Sequence, residues 1–165
     1  MQSHYNYVFD SITNTYNFAT KNNILYRVAF VVVEIFSTIS GEEIPNIYQL
    51  IIEKATDELE PFDTKVSKTI EHIIERFFQK TENALIYVCS DEDERARIRH
   101  EIFDMWYRNS DYKNWIVKID NIMKFNIKNE IQKLYTSFLF HKQNLNYEKL
   151  IQIYTQIENV LNEEK

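Results

Sequence analysis

Residues 84–109 read ALIYVCSDEDERARIRHEIFDMWYRN, and the change of rhythm inside this stretch decides the fold. Ala84–Cys89 is an unbroken apolar run, too short for a helix and expected of an inner strand covered on both faces. From about Asp91 to Asn109 the period becomes helical, with Ile98, Ile102, Met105 and Trp106 on one face, and the spacing predicts that this face turns inward. The passage from strand through acidic turn to helix is the segment most like a functional site.

Toward the N-terminus, Pro61-Phe62-Asp63 stops a strand region and Asp63 can cap a helix. Val66, Ile70, Ile73, Ile74, Phe77 and Phe78 then trace one apolar helical stripe that ends near Thr81. Before it, apolar residues alternate with polar ones. Tyr5, Tyr7 and Phe9 form one strand, Tyr16 and Phe18 a second, and Ile24–Val33 a third that is apolar on both faces. Asn22-Asn23 can supply the left-handed backbone of a tight turn. A loop around Ser40, Gly41 and Pro45 leads to a fourth strand, Ile47–Lys54.

Toward the C-terminus, Trp115, Val117 and Ile119 predict a strand, Ile122–Lys133 fits either a loop or a short helix, and Leu134–Phe140 reads as a strand. After a turn at Asn144-Leu145-Asn146, a last helix carries Leu150, Ile151, Tyr154, Ile157 and Leu161 on its inner stripe. The order β-β-β-β-α-β-α-β-β-α predicts a single α+β domain over residues 1–165. Its sheet is largely antiparallel, with an N-terminal four-stranded meander and about three helices packed on one side.

Composition closes several classes. Of 165 residues, 44% are hydrophobic and 15% aromatic, too many for a disordered chain. The net charge of −6 works against phosphate attraction, so nucleic acid is disfavoured as a partner. Gly41 is the sole glycine, which leaves no glycine-rich phosphate cradle and implies no cofactor. Cys89 is the sole cysteine, which rules out an internal disulfide and fits a reducing, cytoplasmic setting. No apolar run is long enough to span a membrane, and MQSHYNYVFD has no secretory character.

Four of the six arginines fall between Arg95 and Arg108. Asp93, Arg95 and Arg99 form a candidate anion- or ligand-binding set, since Arg95 and Arg99 lie one helical turn apart and can grip a phosphate or carboxylate. Asp91 and Asp93 are candidate ligands for a divalent metal. The same residues also read as a solvated helix face, because Asp91/Arg95, Arg97/Glu101 and Asp104/Arg108 are ordinary i,i+4 pairs. Cys89 can be a nucleophile or an inert buried thiol. His4, His72, His100 and His141 have no metal-ligand spacing, and His72 falls on the exposed side of its helix. Tyr5, Tyr7, Tyr16, Tyr26 and Trp106 make a candidate interaction patch.

The pattern of an apolar strand ending in Cys89, followed by Asp93, Arg95, Arg99, Phe103 and Trp106, resembles small bacterial proteins grouped as domain of unknown function 6169. So do Tyr16-Asn17-Phe18, Tyr26–Phe30, Pro61–Asp63 with Thr69-Ile70, and Asn144–Tyr147. Ser90 and Glu94 depart from that pattern, where an acidic and a small turn residue are expected. The resemblance implies one domain and carries no activity. The residues favour a non-enzymatic module that binds a protein partner or a second copy of itself, through an aromatic sheet face or an edge strand. The alternative is a phosphate- or anion-handling enzyme at the 89–99 junction.

Overall fold

A computed structural model describes residues 2–55, 63–90 and 94–163. The chain folds as an α+β structure around one seven-stranded sheet of spatial order β1-β2-β3-β4-β5-β7-β6. Val8–Asp10 (β1), Thr15–Ala19 (β2), Leu25–Val32 (β3) and Ile47–Lys54 (β4) pair antiparallel in sequence order, the expected meander. Its turns rest on asparagines in left-handed backbone, Asn14 at φ 56° and Asn23 at φ 61°. The first strand is shorter than the Tyr5–Phe9 alternation suggests. Tyr5 is instead tied to a helix, its N–H donating to Thr69 Oγ1 at 2.9 Å.

A short helix, Ile35–Ser40 (α1), occupies part of the expected loop and buries Phe36. Gly41 ends it in left-handed backbone at φ 72°, a conformation that favours glycine. Thr64–Phe77 (α2) starts where expected, with the Asp63 side chain accepting from Lys65 N–H at 2.9 Å. It buries Val66, Ile70, Ile73 and Ile74. The chain then enters Ala84–Ser90 (β5), which pairs parallel with β4, the one parallel ladder among the described strands. Ala96–Asn109 (α3) and a 3-10 turn at Tyr112–Asn114 follow.

Two expectations are corrected here. Residues 122–133 are neither loop nor helix: they belong to a long hairpin, Ile116–Ile127 (β6) and Glu130–His141 (β7). Lys128 and Asn129, at φ 51° and 66°, make the two-residue turn with both central residues left-handed that suits a hairpin twist. The helices also cover both faces of the sheet, not one. Helices α2 and α3 lie over Phe18, Val28, Phe30, Leu50, Leu85 and Leu139. On the other face α1 and Tyr147–Glu163 (α4) lie over Ile47, Ala84, Ile86, Met123, Phe138 and Phe140. The reason is written in β5, where Leu85 faces one layer while Ala84 and Ile86 face the other, so each side needs an apolar cover.

β6 is an edge strand, and side chains close its outer margin at both ends. The Tyr107 hydroxyl donates to Ile116 O at 2.6 Å. Farther along, Lys124 N–H donates to Glu158 Oε1 at 2.9 Å and Asn162 Nδ2 donates to Lys124 O at 3.0 Å.

Candidate functional site

The site is the helix α3 and what lies beneath it. Its entry joins β5 through residues 91–93, so the candidate ligands Asp91 and Asp93 lie outside the described residues. Arg95 stands at the helix start and is exposed. Arg99 is half-buried and its Nη2 donates to Ser90 O at 3.1 Å, which ties the helix back to the strand it leaves. Cys89 is buried against Ala96 and Tyr135. Among the described residues no group of three or more His, Cys, Asp and Glu side chains is placed to hold a metal ion. Tyr5, Tyr7, Tyr16, Tyr26 and Trp106 are all half-buried against the α2 and α3 side of the core. His72 is exposed as expected, with Nδ1 2.8 Å from the Tyr7 hydroxyl and its ring stacked on His4 at 4.3 Å.

The helix is turned over relative to the expectation from its spacing. Ala96 and Phe103 are buried, and His100 and Tyr107 contact the sheet beside them. Of the residues predicted to face inward, Ile98, Ile102 and Met105 are 52%, 38% and 38% exposed, while Trp106 is half-buried against the core as expected. Both rows recur at helical spacing, so periodicity alone does not choose between them.

What the inward row meets explains the choice. Lys118 and Asp120 alternate on β6 and point to α3, and the Lys118 side chain is only 3% exposed. Its ammonium donates to Asp104 Oδ1 at 2.8 Å and to both oxygens of Asp120 at 2.6 and 2.7 Å. Three N–H groups thus have three carboxylate acceptors, the condition for burying a charge at tolerable cost. Arg108 Nε donates to Asp104 Oδ2 at 2.8 Å and extends the chain of alternating charge. At the other end the buried Ser137 hydroxyl donates to Asp120 Oδ1 at 2.7 Å.

His100 Nε2 lies 3.1 Å from Ser137 Oγ, 3.3 Å from Thr136 O and 3.6 Å from Asp120 Oδ1. Since Ser137 gives its own proton to Asp120, all three neighbours accept, and Nε2 carries hydrogen. A serine nucleophile requires the reverse arrangement, an unprotonated imidazole nitrogen facing the hydroxyl. This Ser/His/Asp grouping ties α3 to the β6–β7 hairpin. On the opposite face Thr136 Oγ1 donates to Asn121 O at 2.7 Å and lies 2.6 Å from the Tyr154 hydroxyl, pinning α4 in the same way.

Burial alone would raise the Asp120 carboxyl. Hydrogen bonds from His100, Lys118 and Ser137, with the Lys118 charge, outweigh it and hold the group well below the ordinary carboxylate range. A carboxyl depressed on folding contributes stability that is complete above its unfolded value of about 3.9 and is lost as pH falls through the lower folded value. Acid unfolding followed by circular dichroism should therefore show a shallower pH dependence below about pH 4 in Asp120→Asn than in the parent. Equal slopes would show that the carboxylate is not held by these partners.

Two polar rows were the overlooked signal: His100, Asp104 and Arg108 along the helix, and Lys118 and Asp120 two apart on a strand. Each row is ordinary by itself, and only their pairing across the fold gives them a place.

A comparison with family models matches residues 62–156, more than half of the chain, to a family of unknown function (DUF6169). The chain belongs to that family. The matched span runs from the start of α2 into α4 and contains the whole α3 site, while Tyr16–Phe18 and Tyr26–Phe30 precede it. No curated protein and no solved structure matches the chain. None of the described helices is long and apolar enough to cross a membrane.

Proposed function

We propose that this chain is a binding module, without chemistry of its own, that docks a helical segment of another protein on the outward face of α3. The carrying observation is the orientation of that helix: Ala96 and Phe103 are buried and the half-buried His100, Asp104 and Tyr107 bond to the β6–β7 hairpin, while Ile98, Ile102 and Met105 face solvent at i, i+4 and i+7. Apolar residues in that row form the ridge on which a second helix packs. The buried charge network holds the ridge in place, so little ordering is required when a partner arrives.

Charge indicates the kind of partner. Glu71 and Glu75 of α2 and Asp111 after α3 lie close enough to one another that burial and the two neighbouring carboxylates raise the Glu75 carboxyl. Although Arg95 at the start of α3 and Arg97 and Arg108 within it are exposed, the net charge of −6 suits an amphipathic helix whose apolar stripe is flanked by Lys and Arg. A second copy would bring the same negative charge. Three part-exposed side chains suit a single docked helix, whereas a stable dimer interface buries about 1,200 Å² or more.

The test is titration with a synthetic amphipathic peptide carrying leucine at i, i+4 and i+7 and lysine flanks, beside the same peptide with glutamate flanks. The lysine peptide should bind, the glutamate peptide should not, and Ile102→Asp should weaken binding by about tenfold with an unchanged melting temperature. Equal binding of both peptides, undiminished binding by Ile102→Asp, or self-association that excludes the peptide would overturn the reading.

A further inference from the structure

A second feature, separate from the α3 ridge, lies where the last turn of α2 passes the β1–β2 hairpin. A cavity of about 450 Å³ opens there, within the range of small-ligand sites. One wall is aromatic. Phe30 and Phe77 stack at 4.2 Å with planes 4° apart, Tyr16 meets the edge of Phe30 at 6.1 Å, and Phe9 lies 5.0 Å from Tyr16. Phe9 is 48% exposed, so the wall has a face open to a planar ligand.

Charge of one sign borders this wall on the Tyr16 side, where Arg76 is hydrogen-bonded to Tyr7. Arg76 and Lys80 are exposed and line the cavity, and no carboxylate residue lines it with them. Among the described residues neither cation has a salt-bridge partner, although 25 Asp and Glu side chains are available in the chain. A basic residue in the last helical turn commonly answers the helix dipole. The dipole does not account for two cations lining one cavity beside aromatic rings. Asn14, Asn46 and Gln79 add amides to the lining, while the amide of Asn83 is already spent on Phe77 O at 2.9 Å.

We infer that this cavity binds a nucleoside monophosphate, with its base on the Phe9–Tyr16 side and its phosphate between Arg76 and Lys80. Stacking on aromatic rings tolerates any base, guanidinium and ammonium groups take the phosphate, and side-chain amides can read the edge of the base. The overall negative charge of the chain disfavours a long polyanion but not a single phosphate held by a local cation pair.

Calorimetric titration with adenosine monophosphate, adenosine and inorganic phosphate as separate arms tests the inference. The nucleotide should bind at least about tenfold more tightly than either fragment, since each fragment engages only one wall. The double variant Arg76→Ala/Lys80→Ala should lose about tenfold for the nucleotide and nothing for adenosine, and Phe9→Ala should weaken both by about fivefold. Thermal melts of each variant check folding, and Phe9→Leu, which keeps apolar volume but removes the ring, carries the test of the stacking wall if Phe9→Ala fails to fold. No heat from the nucleotide at roughly 10 mM, phosphate binding as strongly as the nucleotide, or undiminished binding by the double variant would overturn it. None of these results depends on whether α3 docks a peptide.

Discussion

Phe138→Ala should be the most damaging single truncation in the chain, costing about 4 kcal/mol and lowering the melting temperature by roughly 10 °C. Phe138 is fully buried in the middle of β7. Its ring meets Phe36 at 5.2 Å, Tyr154 at 5.1 Å and Phe140 at 5.6 Å, and so joins α1, α4 and the sheet. Removing it leaves a hole bounded by three elements whose main chains are fixed by ladders and helical bonds, which limits collapse into the space. Thermal unfolding by circular dichroism would measure this. A loss under about 1 kcal/mol would mean that α1 and α4 close over the gap and that the ring does not organise this layer.

The second large effect is expected at Lys118. Replacing it with methionine keeps most of the volume and removes the charge between Asp104 and Asp120. Two carboxylates then face one another under α3 without a cation between them. Breaking a buried pair costs 3–5 kcal/mol, and the lower end, about 3 kcal/mol, applies because both carboxylates keep partial access to water. Adding Asp104→Asn and Asp120→Asn should recover much of that loss, since the unpaired charges would be gone. Denaturant unfolding of the single and triple variants would decide it. A single variant as stable as the parent would show that water already solvates the carboxylates and that Lys118 is dispensable.

Where neighbours in sequence are also neighbours in space, the residues were enough. The α2 stripe from Val66 to Ile74, the Asp63 cap and the limits of β4 follow from period and capping alone. The apolar run of β5 foretold cover on both faces, although one-sided helix packing was the simpler expectation. Residues 122–133 were hard to read because the strand signal is short. Met123, Phe125 and Ile127 alternate with Lys124, Asn126 and Lys128, and Met123 and Phe125 are buried, but Ile122 breaks the alternation before them and the mainly polar run Lys128–Lys133 follows. For α3 the information lay elsewhere in the chain. Ile98, Ile102 and Met105 match an inward face better than Ala96, His100, Phe103 and Tyr107 until Lys118, Asp120 and Ser137 supply partners for the polar row. The amphipathic pattern ranks faces by transfer from water, and here a satisfied ionic network overrode that ranking.

The outer margin of β6 has a further meaning for how this molecule behaves in a crowded solution. A strand of twelve residues at a sheet border offers a template on which other chains can add, the first step toward fibrils. Here Tyr107 closes one end of the template and Glu158 with Asn162 closes the other. In the stretch left between them, an inward-turned lysine and its aspartate interrupt what would otherwise be a greasy seam. The ionic cluster that seats the helix is thus also an inward-turned charge on an edge strand, a feature that makes a sheet border a poorer template for added chains.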